Sequence, residues 1–344
     1  MKKVTTRMIA AEVGVSHATV SRVLNNDIRV HPATRERVIE AARLRGYRLE
    51  PGNGRRTIAI IIHELSFHGY VDNVFSPLLQ EISQHGYRAE VVFSSDIKLL
   101  ETRAVAGAVS VSLRDQLNEH WGELGGLPLV RINRQGCHRE NIYSVCSDGI
   151  VGMKLAVEYL RDKGHRRIAF VSDVTPAIEQ LQMSRRHLGF CEAMRRIGDE
   201  QPEKSCFFND GVPFPDFRKM IADGITALIV TGEQRGIRLM HELYRLGIRV
   251  PEDLSLLTME SPKISEELIP PHSTLAQDFH RLAREALLLL DRLIDRQPVT
   301  GDVLVPYHLI ERESVRALSW RRRDRAGRLG GPLEQTRLCG DFDG

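Results

Sequence analysis

The stretch Ala10-Ala11-Glu12-Val13-Gly14-Val15-Ser16-His17-Ala18-Thr19-Val20-Ser21-Arg22-Val23-Leu24-Asn25 constrains this chain more than any other. Ile9, Ala10 and Val13 recur at helical spacing and stop at Gly14, a residue type that enters φ > 0 at little cost and so ends a helix tightly. Ser16 stands where an N-cap should stand, with an oxygen for the free N–H groups of the next turn. Val20, Val23 and Leu24 form the apolar stripe of a second helix, which leaves His17, Ala18, Ser21, Arg22 and Asn25 to face outward. A short helix that exposes small, hydrogen-bonding and cationic side chains near its start suits the major groove of DNA. A third helix is expected over 32–44: it begins at Pro32, carries Val38, Ile39 and Ala42 on one face, and ends at Gly46.

Charge points to the same partner. Residues 1–56 hold twelve Lys or Arg and five Asp or Glu, a net of +7, whereas the whole chain is only +3. The remainder is therefore net −4. Positive charge concentrated on the three-helix segment is the electrostatic footprint that phosphate binding requires.

With 344 residues, 42% hydrophobic and 27% charged, the chain has room for two or three domains. No segment approaches the ~18–20 uninterrupted apolar residues of a membrane span. Lys2 and Lys3 are not followed by an apolar signal core, so a cytoplasmic protein is expected. Cys137, Cys146, Cys191, Cys206 and Cys339 are odd in number and form no C-x-x-C. They read as reduced structural thiols, with no disulfide framework, metal site or cofactor.

From residue 57 strands alternate with helices. Thr57-Ile58-Ala59-Ile60-Ile61-Ile62 is a continuous apolar run, as in a parallel strand covered on both faces. Further strands are expected at 89–93, 108–111, 129–132, 167–171, 227–230 and 254–257. Helices are expected at 74–85, 149–163, 183–197, 234–246 and 275–296. This alternation predicts two doubly wound parallel sheets. The chain thus divides into a helix-turn-helix domain at 1–47, a short linker at 48–56, a two-lobed α/β core at 57–318 and a basic tail at 319–344, read as disordered. His63-Glu64 with His68 lacks the spacing of H-E-x-x-H. No G-x-S-x-G, Walker A or G-x-G-x-x-G motif is present, and nothing pairs a nucleophile with a base. An enzyme is not expected.

Val4-Thr5, Ile9-Ala10, Gly14-Val15-Ser16, Thr19-Val20-Ser21-Arg22-Val23-Leu24-Asn25 and Gly46-Tyr47 resemble, densely and in register, the DNA-binding domain of the LacI/GalR family of bacterial repressors. Asp148 with Gly152, Gly164-His165-Arg166-Arg167-Ile168-Ala169, Gly189-Phe190 with Ala193, Val250-Pro251-Glu252-Asp253-Leu254-Ser255 and Pro270-Pro271 with Ser273-Thr274 extend the resemblance over nearly all of 57–318. The resemblance implies a periplasmic-binding-protein-like core whose two lobes close on a small molecule. It also implies that His17, Ala18 and Arg22 read base edges, while Thr5, Thr6, Ser16, Thr19, Ser21 and Asn25 hold phosphates or fix orientation. In the cleft, Arg186 matches the family's ligand-binding arginine, whose planar fork can grip hydroxyls or a carboxylate. Glu260 and Asn133 stand at family aspartates, and Tyr70 is placed to supply an apolar wall.

Departures from the family matter as much. Met8 stands where an Asp is frequent, and Gly232-Glu233 replaces an Asn-Asp pair. Only Arg48-Leu49-Glu50-Pro51-Gly52-Asn53-Gly54-Arg55-Arg56 separates Tyr47 from the first strand. The family's hinge helix is not expected there, because an interior Pro costs a helix about 3 kcal/mol and each Gly about 1. The expected protein is a homodimeric, sequence-specific transcription repressor. It binds double-stranded operator DNA, and its affinity responds to a sugar or sugar derivative. The alternative is a small-molecule-binding module with a vestigial DNA head.

Overall fold

The computed structural model describes residues 4–24, 30–45, 47, 57–63, 69–102, 105–111, 121, 124, 126–134, 141–172, 182–208, 214–232, 235–259 and 262–318. Asn25, Gly46, Glu233, Glu260, Cys137, Cys339, the linker 48–56 and the tail 319–344 lie outside them.

Three helices form the amino-terminal unit: α1 (Thr6–Val13), α2 (His17–Leu24) and α3 (Pro32–Leu44). Thr5 caps α1 by accepting from the Met8 N–H, so the helix start does not need an Asp at position 8. Gly14 ends α1 at φ 70°, and its N–H and that of Val15 both reach the Ala10 carbonyl. That is the left-handed C-cap expected of glycine. Ile9, Ala10, Val13, Val20, Val23 and Leu24 meet Val38, Ala41 and Ala42 of α3 in one small core. Ile39 is only partly buried, so the inward face of α3 is rotated towards Ala41 relative to the sequence expectation. Tyr47 packs on the same core, its N–H on the Ala42 carbonyl at 2.9 Å.

The rest folds as two six-stranded sheets. The first runs β11-β5-β4-β3-β1-β2 and the second β12-β10-β9-β8-β6-β7. Strands of the first are β1 (Thr57–Ile62), β2 (Arg88–Phe93), β3 (Val105–Ser110), β4 (Leu129–Ile132), β5 (Ile142–Ser147) and β11 (Val303–Val305), all paired in parallel. Strands of the second are β6 (Ile168–Ser172), β7 (Cys206–Phe208), β8 (Ala227–Thr231), β9 (Ser255–Thr258), β10 (Ser273–Ala276) and β12 (His308–Ile310). Among the described strands only β12 runs antiparallel, against β10. Strand β1 is apolar throughout because both faces are covered. Ile58, Ile60 and Ile62 join one core and Ala59 and Ile61 another.

Among the described residues, helices α4 (Tyr70–Gln84), α5 (Gly149–Asp162), α6 (Gln182–Arg196), α7 (Phe217–Ala222), α8 (Arg235–Arg245), α9 (Pro262–Glu267) and α10 (Phe279–Ile294) accompany the sheets. One expectation needs correction. The stretch expected to be one helix over 275–296 begins as strand β10; α10 starts only where the Asp278 carboxylate caps it, accepting from the Arg281 N–H at 2.8 Å. After β2 the chain forms a run of 3-10 turns, Ser94–Thr102. Among the described residues no helix is long and apolar enough to cross a membrane.

Connectivity fixes where the lobes meet. The chain passes between the sheets after β5, after β10 and after β11, because α10 packs in the core of the first lobe although it follows a strand of the second. Each passage leaves the carboxyl end of a strand, and β12 starts beside the carboxyl end of β10. The carboxyl edges of both sheets therefore face the junction, the position at which open α/β sheets bind ligands.

Candidate functional site

The first candidate surface is the outer face of α2. The Ser16 hydroxyl accepts from the Thr19 N–H at 3.0 Å and shares a 2.8 Å hydrogen bond with the Thr19 hydroxyl. Both side chains thus lock the first turn, as an N-cap should. His17, Ala18 and Arg22 are exposed, whereas Thr19 and Ser21 are partly covered. His17 does not swing freely: its Nε2 shares a 2.8 Å hydrogen bond with the Thr6 hydroxyl of α1. Thr6 therefore holds the exposed His17 ring in one orientation. Arg37 of α3 donates to the Val13 carbonyl at 2.5 Å, and Arg45 pairs with Glu12, so α3 is tied to α1 by cationic side chains as well as by the shared core.

The second candidate surface is the junction of the lobes. Arg186 lies in the first part of α6 and is 6% exposed. Its Nη2 and Nε donate to the Tyr307 hydroxyl at 3.0 and 3.2 Å, and its guanidinium lies 5.9 Å from the Tyr307 ring centre. Tyr307 belongs to the third passage, between β11 and β12. Its ring rests on α5 where Gly152 leaves space; a Cβ there would stand 2.5 Å from the ring. Gly189 serves the same packing one helix on, since a Cβ would lie 2.7 Å from the Ile150 Cα. Neighbouring Arg185 approaches Asp148, the N-cap of α5, at 3.8 Å.

Asn133 follows β4 at φ 57°, a left-handed conformation that Asn tolerates better than most residues. The structure occupies both ends of its amide: Nδ2 donates to Gln277 Oε1 at 2.7 Å and Oδ1 accepts from the Ser147 N–H at 2.7 Å. The Ser147 hydroxyl also donates to Gln277 Oε1, at 2.9 Å. Ser147 ends β5 and Gln277 follows β10, so this triad links the first two passages. Asp148 N–H on the Val305 carbonyl, at 2.8 Å, links the first to the third. Tyr70 opens α4, donates to the Ile132 carbonyl at 3.3 Å and meets Phe279 edge-on, ring centres 6.1 Å apart.

Sequence reading missed Tyr307, Gln277 and two further arginines. Arg131 in β4 and Arg235 at the start of α8 are both buried at carboxyl edges, and Arg235 lies over the Phe214 ring at 4.5 Å. Two buried cations so close to strand ends were the available signal. A cavity of about 680 Å³ lies elsewhere, at the amino ends of the second sheet; Arg166, Arg167, Lys204 and Lys219 line it together with Asp199, Asp216 and Asp223.

Comparison with known proteins matches both parts of the chain. The model for bacterial regulatory proteins of the lacI family matches residues 6–49, and that for the periplasmic binding protein-like domain matches 157–315. The chain belongs to the LacI family. It is a DNA-binding transcriptional regulator and not an enzyme. The HTH-type transcriptional repressor CytR of Escherichia coli (strain K12) is 29% identical over 342 residues, 91% of this chain and 97% of CytR. The HTH-type transcriptional regulator CelR of Thermobifida fusca is 28% identical over 345 residues, covering 91% of this chain and 98% of its own. Among solved structures, a CelR–cellobiose complex superposes with a TM-score of 0.64 at 27% identity, over 90% of this chain and 99% of that one. A lac repressor dimer bound to operator shares the fold at 24% identity with a TM-score of 0.65, over 92% of this chain and all of the other.

Proposed function

We propose that this LacI-family regulator is a cytoplasmic homodimeric repressor that reads a palindromic operator through His17, Ala18 and Arg22. Thr5, Thr6, Ser16, Thr19, Ser21 and Asn25 position that helix on the phosphates. Two heads reading one palindrome multiply the modest discrimination of each. A sugar or sugar derivative, bound between the lobes, sets the operator affinity. The Arg186–Tyr307 pair carries this second part of the reading, because it holds a buried guanidinium where both carboxyl edges converge. Tyr70, with Phe279, supplies an apolar wall, and Asn133 and Glu260 complete the polar set. The buried Arg131 and Arg235 favour an effector rich in acceptor oxygens. The cellobiose bound by CelR is in keeping with that chemistry.

A thermal-shift panel of mono- and disaccharides, run on wild type and Arg186→Ala, tests the cleft. At least one sugar should raise the Tm of the wild type and leave Arg186→Ala unmoved, with DNA binding by the variant intact. Equal stabilisation of both proteins would remove Arg186 from the effector site.

A further inference from the structure

Sequence spacing separates Cys191 from Cys206, but the fold brings them together beside His187. His187 and Cys191 are four residues apart on α6 and so share a helix face. Cys206 opens β7, the edge strand next to β6. One nitrogen and two sulfur atoms from these residues all lie within 4.8 Å of one another, and His187 Nε2 is 3.4 Å from Cys191 Sγ. In a tetrahedral zinc site, bond lengths of about 2.3 Å to sulfur and about 2.0–2.1 Å to nitrogen set the edges between donors at about 3.6–3.8 Å. The His187–Cys191 edge is already near that length, and no edge exceeds it by more than about 1 Å, a gap that side-chain rotation can close.

The surroundings suit an ion as well. Cys191 is buried and the other two are half-buried. Phe208 and Phe170 flank the His187 ring, at 5.1 and 6.2 Å between centres, and hold it in place. All three donors stand on a helix or a strand rather than on a loop, which keeps their spacing fixed. The Cys206 thiol donates to the Pro202 carbonyl at 3.4 Å, a weak bond that metal binding can replace.

We propose that His187, Cys191 and Cys206 form a three-ligand site for a thiophilic divalent ion, Zn2+, with water in the fourth position. Binding releases the thiol protons to solvent and leaves two thiolates and a neutral imidazole on the metal. The ion braces α6 against β7 one residue from Arg186, so it stiffens the helix that carries the cleft arginine.

The test uses the full chain, purified reduced and free of chelator, with one equivalent of Co2+ added as the probe. Wild type should show thiolate-to-cobalt charge-transfer absorption and the d–d bands of a tetrahedral site, both abolished by one equivalent of Zn2+. Cys191→Ser and Cys206→Ser should each lose the charge-transfer band by at least half, while Cys146→Ser, altered in the other lobe, should keep it. If a serine variant fails to fold by circular dichroism, the wild-type spectrum and its displacement by Zn2+ decide. Absence of charge transfer in the reduced wild type would overturn the proposal. So would a spectrum unchanged in folded Cys191→Ser or Cys206→Ser. A Cys191–Cys206 disulfide in air-purified protein, with no Co2+ binding once reduced, would overturn it in favour of a redox pair.

Discussion

The Tyr307 hydroxyl accepts two hydrogen bonds from the Arg186 guanidinium, joining the third passage between the lobes to helix α6. The two residues are 121 positions apart in sequence, so only the fold pairs them at the junction. Tyr307→Phe keeps the ring and removes the acceptor. A buried donor deprived of a partner costs about 1–3 kcal/mol. Urea denaturation should show a loss in that range, and sugar-induced stabilisation should weaken. Unchanged stability would mean that the pair does not order the junction.

Gly152 tests the same contact from the other side. A Cβ there would stand 2.5 Å from the Tyr307 ring, and overpacking of this kind costs about 1–3 kcal/mol. Gly152→Ala should therefore destabilise the chain. Combined with Tyr307→Ala, its cost should shrink, because the ring it collides with is gone. Strict additivity in that double-mutant cycle would contradict the packing described here.

Asn133 separates a tie between passages from a ligand contact. Asn133→Ala removes the acceptor of the Ser147 N–H and one of the two donors to Gln277 Oε1, and it puts at φ 57° a residue that tolerates the left-handed region less well than Asn. Stability should fall by about 1–3 kcal/mol even without any sugar. A variant as stable as the wild type, but blind to sugar, would assign Asn133 to ligand recognition alone.

His165 gives the core a pH dependence. It is fully buried, with ring nitrogens on the Thr226 hydroxyl at 2.9 Å and the Arg316 carbonyl at 3.0 Å. Burial lowers its pKa below the ordinary 6.5. The unfolded chain then binds a proton that the folded chain refuses, so stability falls as the pH drops below about 6.5 towards the lowered value. His165→Asn should flatten that part of the stability–pH curve. An equal slope in wild type and variant would place the titrating group elsewhere.

Arg22 is exposed on the outer face of α2. Replacing a groove-reading arginine by alanine costs about 1–3 kcal/mol of specific binding. Arg22→Ala should lose affinity for its selected operator by that margin at fixed salt, and relax preference at the base it reads. A uniform loss on all sequences would make Arg22 a phosphate contact instead.

Much of this architecture was legible from residue order. The head was readable because Gly14, Ser16 and the apolar spacing each report on a neighbouring residue. Continuous runs such as that of β1 were readable because both faces are buried. Strand β5 was hidden because its sequence mixes Tyr143, Ser144 and Cys146 with apolar residues, and β7, β11 and β12 because they are three residues long. Strand β10 was absorbed into a helix because apolar spacing runs on through it; the capping Asp278 was the unused signal. At the junction, Arg186 stood out through resemblance, whereas Tyr307 lies 121 residues further along and only the fold pairs them. His187 and Cys191 are at visible helical spacing, but no spacing rule reaches Cys206 across the end of α6 and the 3-10 turn Pro202–Ser205.

Selection of DNA sites from a random duplex pool by the purified 344-residue chain, at one fixed salt concentration, tests the central claim most directly. The account predicts enrichment of a palindrome whose half-sites are lost when Arg22→Ala is used for the selection. A folded protein that enriches no sequence above random, with or without a stabilising sugar, would contradict it.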